Sequence, residues 1–360
     1  MTPRPLPTRP RPQTSRGAAL LTALVIVTLV TTVATAMIWQ QWRAIQVEVA
    51  ERTQVQAQMV LNGALDWARL LLREDYWADA RKNRGAGDYI DTLSEIWATP
   101  LSEAKLSTFL AADKDQNSED APDAFLSGSI SDAQARFNLR NLVRNNQASV
   151  PDEKALRRLC EFVNVPAMAC DTLITAAQQA ILITAPPAPA AAGGTGGAVS
   201  VPASAPAIPK SAALLPQVTS DLGWLGVDRI NVRRLLPHVV ILPNNTPINL
   251  NTAGKEVIAA MIPGLDLASA QRLIQARQQR PLRSSGDLRA VIGAATLSDI
   301  DNRFSYQSNY FEVIGTLRLD EMIVSQRSML RRQGPNLFIL TTERIGPGAA
   351  TPPTPTNAPH

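Results

Sequence analysis

The acidic stretch AADKDQNSEDAPDA carries side chains that could bind a metal ion. Asp113, Asp115 and Asn117 have the spacing of the first ligands in an EF-hand loop, and their oxygens suit calcium. The remainder of the loop does not fit, because Ser118 stands where the sharp turn needs Gly and Ala124 where a bidentate Glu belongs. Asp113 and Asp115 are therefore candidate calcium ligands, and a solvated acidic loop is the alternative.

Residues suited to catalysis are sparse. The two histidines are His238, in an apolar stretch, and His360, the last residue. The sequence has no nucleophile elbow, no phosphate-binding loop and no metal-binding cluster of histidines, and Ser285-Gly286 is typical of a turn. Because an activity must be argued from a converging site, we expect a protein that is not an enzyme.

An uncharged run of residues, 17–42, follows four arginines that no acidic residue accompanies. Its apolar part, 18–39, has about the 20 residues that cross a bilayer, whereas a secretory signal peptide has an apolar core of about 7–15. Basic residues before a span favour a cytoplasmic N-terminus. The run is therefore a single membrane span, either an ordinary anchor or the start of a processed protein.

Helical spacing continues beyond the span. Apolar residues recur three or four positions apart on one face, and this set comprises Trp42, Ile45, Val49, Val60, Trp67 and Leu71. No Pro or Gly occurs between Ala18 and Asn62. The pattern predicts one helix over residues 18–75. Its first half would face lipid or neighbouring subunits, and its second half would pack on the protein's own sheet.

The Arg16-Gly17 pair before the apolar run resembles the class III leader of type IV prepilins and type II secretion pseudopilins. The resemblance implies cleavage between Gly17 and Ala18 and methylation of the new amine by a prepilin peptidase. Most such proteins have Glu at the fifth mature position, where this chain has Thr22. The absence of that Glu is typical of the K component, which is placed at the filament tip. Removing the leader leaves 31 basic and 31 acidic residues, so broad nucleic-acid binding is not expected.

Two further motifs resemble the K family of pseudopilins. Residues 91–101, DTLSEIWATPL, match its D-x-L-x-E-x-W-A-x-P-L pattern, and we expect Trp97 to be a buried anchor. Residues 132–139, DAQARFNL, match D-x-x-G-R-F-N-L, with Ala135 where Gly is usual. If that position needs positive φ, Ala would be strained.

The resemblance implies an α+β fold in which a pilin-like long N-terminal helix packs on a small antiparallel sheet, with a large inserted α-helical domain of the SAM-like or helix-hairpin-helix-like type. Alternating apolar residues predict two short strands near Phe125 and Phe137 and further strands from Phe311 onward that rejoin the same sheet. The expected parts are the leader 1–17, the helix 18–75 with the span 18–39, the pilin-like part 76–145, the helical domain 146–302 with a disordered linker 184–210, the pilin-like strands 303–344 and a disordered Pro-rich tail 345–360.

Cys160 and Cys170 are the two cysteines of the chain. An even number of cysteines in a segment predicted to be periplasmic favours a disulfide, although buried thiols are the alternative. No His lies near them, so a zinc site is not expected.

The segment INLNTA at 248–253, followed by a helix, IPGL at 262–265 and a second helix, also resembles the helix-hairpin-helix module of membrane-anchored competence DNA receptors. In that module the hairpin amides bind a phosphate, as helix N-termini do. Here Asp266 replaces the second hairpin Gly. A membrane-anchored DNA-binding protein is therefore the alternative function.

The favoured function is that of a non-enzymatic minor pseudopilin at the tip of the type II secretion pseudopilus, which starts and caps the filament for export of folded proteins across the outer membrane. The implied partners are the I, J and H minor pseudopilins, the major pseudopilin, the prepilin peptidase and the inner-membrane assembly platform. The implied location is the inner membrane of a Gram-negative bacterium, single-pass, with a cytoplasmic N-terminus and a periplasmic bulk. The family also implies possible calcium binding.

Overall fold

The computed structural model describes residues 16–82, 89–106, 124–184, 214–293, 301–319 and 322–346. Most of the predicted leader, the calcium candidates Asp113 and Asp115, nearly all of the predicted linker and most of the predicted tail lie outside these ranges.

The described part contains seven α-helices and eleven strands. The helices are α1 (Arg16–Lys82), α2 (Val150–Phe162), α3 (Ala167–Thr184), α4 (Arg229–Leu235), α5 (Lys255–Met261), α6 (Leu267–Gln279) and α7 (Ser285–Ile292). The strands are β1 (Leu101–Lys105), β2 (Ala124–Asp132), β3 (Phe137–Asn138), β4 (Val143–Arg144), β5 (Gln147–Ala148), β6 (Val239–Val240), β7 (Ile248–Asn249), β8 (Phe304–Ser305), β9 (Tyr310–Leu319), β10 (Met322–Gln333) and β11 (Asn336–Ile345).

The predicted long helix is present and runs seven residues further than the sequence indicated. We expected it to end at 75, but α1 continues to Lys82. The additional turns are held by contacts with the next described segment, because Tyr76 stacks on Tyr89 at 4.7 Å between ring centroids and Asp79 accepts a hydrogen bond from the Ile90 amide at 3.3 Å. These contacts cannot be read from local spacing.

The chain divides into two compact units, residues 1–59 and 60–360. In the first unit, every described side chain from 18 to 52 is exposed, including Trp42, Ile45 and Val49. By length and composition this part of α1 could cross a membrane. α3 is also long and apolar enough, but its Leu173 and Ile174 are buried in a protein core.

In the second unit, five strands form an antiparallel sheet in the order β1-β2-β9-β10-β11. The pairing of β2 with β9 confirms that the strands after Tyr310 rejoin the sheet begun near Phe125. The predicted short strand near Phe137 is present as β3, but it lies outside that sheet and pairs in parallel with β6. The edge strand β1 was missed, because its sequence LSEAK lacks apolar alternation and its residues are largely exposed.

Two facing glycines bring α1 close to the sheet. Gly128 of β2 pairs with Gly315 of β9. A Cβ at Gly315 would lie 3.2 Å from Cδ2 of Leu61, and a Cβ at Gly128 would lie 2.9 Å from the backbone oxygen of Ile314. The missing side chain at Gly315 therefore leaves a depression into which Leu61, itself buried, is seated.

The unit has two main hydrophobic cores. The sheet core comprises Leu65, Ala68, Leu72, Trp97, Phe311, Val313, Leu330 and Leu337. The larger core lies among α2 to α7 and includes Leu156, Leu173, Leu235, Ile258 and Leu273. The helices between β2 and β9 thus bury their own apolar faces.

Candidate functional site

An apolar groove of about 780 Å³ runs along the second half of α1. One wall is formed by α1, including Val60, Trp67 and Leu71, and the other by residues 96–101 and strands β2 and β9. Trp67 is 57% exposed and Ile96 is 81% exposed. Clusters of exposed apolar side chains of this size mark interaction surfaces. We name this surface the α1 groove.

The α1 groove changes the prediction for the second half of the long helix. We expected that half to face the protein's own sheet. Leu61, Leu65, Ala68 and Leu72 do so and are buried. The sequence-predicted Trp67 lies on another side of the helix and remains exposed, and with Val60 and Leu71 it lines the groove. The helix therefore has one face on the sheet and an adjoining apolar face that remains accessible.

Near its N-terminus, α1 includes Gly17 and Ala18, the predicted processing positions. The Thr22 hydroxyl donates hydrogen bonds to the carbonyl oxygens of Ala18 at 3.1 Å and Ala19 at 3.0 Å. Its polar group is thus satisfied within the helix. A Glu carboxylate at the same position would need a partner from elsewhere, because a charge in the bilayer is costly.

A buried network of polar groups joins the sheet to the preceding loop and to the helical part. Arg332 of β10 donates to both carboxylate oxygens of Asp91, at 2.7 and 2.5 Å, and to the carbonyl of Ser308 at 2.7 Å. The Ser308 amide donates to Asp91 at 2.6 Å, and its hydroxyl donates to Asp132 at 2.5 Å. We name this network the polar junction.

The helical part enters the polar junction through Asn249 and Thr252. The Asn249 side-chain amide donates to Asp132 at 3.1 Å, to Ser308 Oγ at 3.0 Å and to the carbonyl of Asp91 at 3.1 Å. The Thr252 hydroxyl donates to Asp132 at 2.5 Å. The residues of three sequence motifs, DTLSEIWATPL, DAQARFNL and INLNTA, therefore meet at one place, which their separate positions in the chain did not indicate.

Three acidic side chains crowd one side of the junction. Carboxylate oxygens of Asp75, Asp91 and Glu95 lie within 4.8 Å of one another, the one such group of three in the described ranges. Arg332 Nη1 lies 3.6 Å from Asp75. Since this guanidinium also binds Asp91, it already supplies positive charge to the group.

Burial raises the pKa values of these acids. Desolvation, followed by repulsion from Glu95 and Asp91, raises the pKa of Asp75 to about 8. Desolvation raises the pKa of Glu95 to about 7 against the opposing hydrogen bond from Trp97, and the pKa of Asp132 to about 6 against those from Ser308 and Thr252. Asp75 and Glu95, beside the polar junction, therefore have pKa values near neutral pH.

Sequence reasoning missed Arg332 and Asp75. The sequence held a partial signal for Arg332, because Ser328, Leu330 and Arg332 alternate and so share one face of a strand; in the structure all three are buried. A charged residue at an inward position of a strand needs a buried partner. Asp75 gave no such signal, because a charged residue near the expected end of a helix is ordinarily solvated.

The remaining motif residues are structural. Trp97 is buried and packs edge-on against Phe311, with ring centroids 5.3 Å apart, which confirms its predicted role as an anchor. Ala135 ends a short 3₁₀ helix and has no positive φ, so the strain considered from the sequence is absent. Asn138 donates to the carbonyl of Asn244 at 2.7 Å and fixes the segment after β6.

Cys160 of α2 and Cys170 of α3 are joined by a disulfide, with their Cα atoms 6.3 Å apart. Both residues are buried. The bond ties together the two helices that follow β5.

The hairpin between α5 and α6 has features that disfavour a phosphate. The Asp266 carboxylate accepts a hydrogen bond from the Ser269 amide at 2.7 Å and so occupies the N-terminus of α6. Arg277, one of the basic residues of this segment, is buried and donates to the carbonyl of Leu250. Asn251 binds the backbone of Leu282 through both its amide nitrogen and its oxygen, each at 2.9 Å. Arg277 and Asn251 are buried and hold the module together, whereas Asp266 is exposed and places a negative charge at the hairpin.

A long N-terminal helix packed on a small antiparallel sheet, with helices inserted between β2 and β9, defines a pilin-like α+β protein. Two family models described as "Type II secretion system (T2SS), protein K" match residues 135–244 and 248–307. The type II secretion system protein K of Pseudomonas aeruginosa is 28% identical over 305 residues, which are 85% of this chain and 85% of that protein. The chain is therefore similar to type II secretion system protein K over most of its length.

A solved structure shares the fold. It is a chain from the crystal structure of the GspK-GspI-GspJ complex of the enterotoxigenic Escherichia coli type 2 secretion system. The match has a TM-score of 0.56 and 19% sequence identity and covers 82% of this chain and 98% of that chain.

Proposed function

We propose that this protein is the minor pseudopilin at the tip of the type II secretion pseudopilus, where it starts and caps the filament without enzymatic activity. The α1 groove is the observation that carries this proposal. It offers an apolar surface beside Trp67, on the helix by which pilin-like subunits associate, and an apolar groove of this kind can bind the apolar face of a neighbouring helix.

Thr22 supports a place at the tip. In the family, the Glu at the fifth mature position is thought to pair with the terminal amine of the subunit already in place. The Thr22 hydroxyl is satisfied by its own helix and needs no subunit above it. The inserted helices would also be too bulky to allow a further subunit above this one.

The proposed partners are other minor pseudopilins, the components I, J and H, together with the major pseudopilin. The solved structure that shares the fold is a complex of GspK with GspI and GspJ, which supports the first two of these partners. The proposed topology has the N-terminus in the cytoplasm, one inner-membrane span and the folded unit in the periplasm, with processing between Gly17 and Ala18 by the prepilin peptidase.

Co-purification from the native bacterium tests the role of the α1 groove. Trp67→Ala removes the largest exposed side chain of the groove, and we expect reduced recovery of the other minor pseudopilins. Trp77→Ala is the matched control, since Trp77 is exposed on the same helix but does not line the groove. Equal recovery with both variants would contradict docking in the groove.

The mass of the N-terminal peptide tests the processing step. We expect the protein from native membranes to begin at methylated Ala18. A retained Arg16-Gly17 junction would favour the alternative function, a membrane-anchored DNA receptor. A gel shift with duplex DNA at moderate salt would then test whether the protein binds DNA. Calcium binding by the acidic segment around Asp113 and Asp115 is a further proposal, which calorimetric titration with calcium can test.

A further inference from the structure

A second exposed apolar surface lies among the helices, on residues that do not line the α1 groove. Met168 is 82% exposed, Trp224 is 64% exposed and Ile230 is 67% exposed. Arg229, next to Ile230 in the sequence, and Arg233, three residues after it, are also exposed. We name these five residues the Trp224 surface.

The local structure turns these side chains outward. The 3₁₀ helix Thr219–Leu225 buries Leu222 and Leu225, so Trp224 lies on its solvent side. α4 buries Asn231, Val232 and Leu235, which leaves Ile230 and Arg233 on its outer face, where residues three apart are neighbours.

Two contacts bring the segments of the Trp224 surface together. Gly226, with φ of +81°, follows the 3₁₀ helix, and a Cβ there would lie 3.2 Å from the methyl carbon of Thr172. On the other side, Arg234 of α4 donates a hydrogen bond to the carbonyl of Asn164, just before α3. Met168, in the first turn of α3, lies in the chain between Asn164 and Thr172. The first turn of α3, which carries Met168, is therefore flanked by the 3₁₀ helix that carries Trp224 and by α4.

The backbone under this surface is fixed. The disulfide between Cys160 and Cys170 ties α3 to α2 two residues from Met168. The Asp228 carboxylate caps α4 by accepting from the Ile230 amide at 2.9 Å and the Asn231 amide at 3.0 Å. A rigid backbone reduces the conformational entropy that is lost when a partner binds.

The charges of the surface are available for an external partner. Within the described ranges, neither Arg229 nor Arg233 has an ion-pair partner. Two of the nearby acidic groups are already engaged, since Asp228 caps α4 and Asp171 is paired with Arg157. Exposed Trp and Arg are the residue types most enriched in binding hot spots.

We propose that the Trp224 surface docks a folded protein whose contact face is rimmed by acidic residues, separate from the pseudopilin contacts of the α1 groove. Unpaired arginines around an apolar centre are complementary to such a face. A lipid surface fits less well, because interfacial membrane helices present a long amphipathic face and α4 has seven residues.

Photocrosslinking in the native bacterium tests this proposal. The full-length protein carries p-benzoylphenylalanine at position 224, and crosslinked peptides are identified by mass spectrometry. We expect an adduct with a protein segment rich in Asp and Glu. Arg229→Glu with Arg233→Glu should lower its yield at least about tenfold, whereas Lys at both positions should retain most of it. A photoreactive residue at position 77 is the matched exposed control.

Co-purification with the other minor pseudopilins separates this proposal from the tip function, because the charge-reversed protein should still recover them. If charge reversal disturbs folding, Gln at both arginine positions provides a milder variant, for which a smaller loss of crosslinking yield is expected. An adduct with lipid, with a second copy of this chain or with another pseudopilin would overturn the proposal. So would no adduct, or a yield unaffected by reversal.

Discussion

The facing glycines predict an energetic coupling between α1 and the sheet. Gly315→Ala would place a methyl carbon 3.2 Å from Leu61 Cδ2, tighter than an ordinary van der Waals contact. Overpacking a core costs about 1–3 kcal/mol, and replacing a strand Gly by Ala recovers about 0.5–1 kcal/mol of backbone entropy. We therefore expect the substitution to lower the free energy of unfolding by about 1 kcal/mol.

Leu61→Ala removes the opposing side chain, and by itself it should cost about 2–5 kcal/mol because Leu61 is buried. In that background the new methyl group has space, so Gly315→Ala should be neutral or stabilising by about 0.5–1 kcal/mol. The double-mutant cycle should therefore give a coupling of about 1–2 kcal/mol, within the range for residues in contact.

Denaturant unfolding of the full-length protein in detergent, followed by near-ultraviolet circular dichroism, measures the four free energies. Two controls accompany the cycle. Gly63→Ala, also on α1, meets no atom within 4 Å and should stabilise the helix by about 0.5–1 kcal/mol. Gly128→Ala meets the Ile314 backbone oxygen at 2.9 Å, so its cost should not depend on residue 61. An equal cost of Gly315→Ala with and without the Leu61→Ala substitution would refute the proposed seat.

Three further predictions concern buried groups. The pKa of Asp75 is about 8 in the folded protein against an ordinary 3.8, so the stability that its protonation contributes is fully present below about pH 4 and is lost as pH rises to about 8. Stability should fall over this window, and Asp75→Asn should flatten the profile. Cys160→Ala with Cys170→Ala should lower unfolding free energy by about 2–3 kcal/mol, measured by denaturant unfolding. Arg332→Met removes the cationic partner of the buried Asp91 and should lower the free energy of unfolding by about 3–5 kcal/mol in the same assay.

Each of these has a matched comparison. Asp66→Asn, at an exposed position on α1, should leave the pH profile unchanged, and a profile equally steep in Asp75→Asn would show that other groups set it. The cysteine variant should match the wild type treated with reductant; a wild type indifferent to reductant would contradict a stabilising bond. Arg331→Met, beside Arg332 but less buried, should cost little, and equal losses at both positions would contradict the polar junction.

Patterns with short periods in the sequence predicted much of the architecture. Uninterrupted helical spacing indicated α1, because a helix is specified by residues three and four apart. Alternation at Phe311 and Val313 indicated β9 for the same local reason. The end of α1 and the edge strand β1 could not be predicted this way, since Tyr76 is held by Tyr89 and β1 by its pairing with β2.

The sequence by itself determined the membrane-length helix, the processing motif, the sheet-forming strands and the two cysteines, all of which are properties of neighbouring residues. Only the tertiary structure decided that Asp91, Asp132, Asn249 and Arg332 share one buried network. It also decided that Trp67 lines an open groove while Leu65 is buried. Contacts between distant residues depend on how whole elements pack, and local periodicity carries no information about that packing.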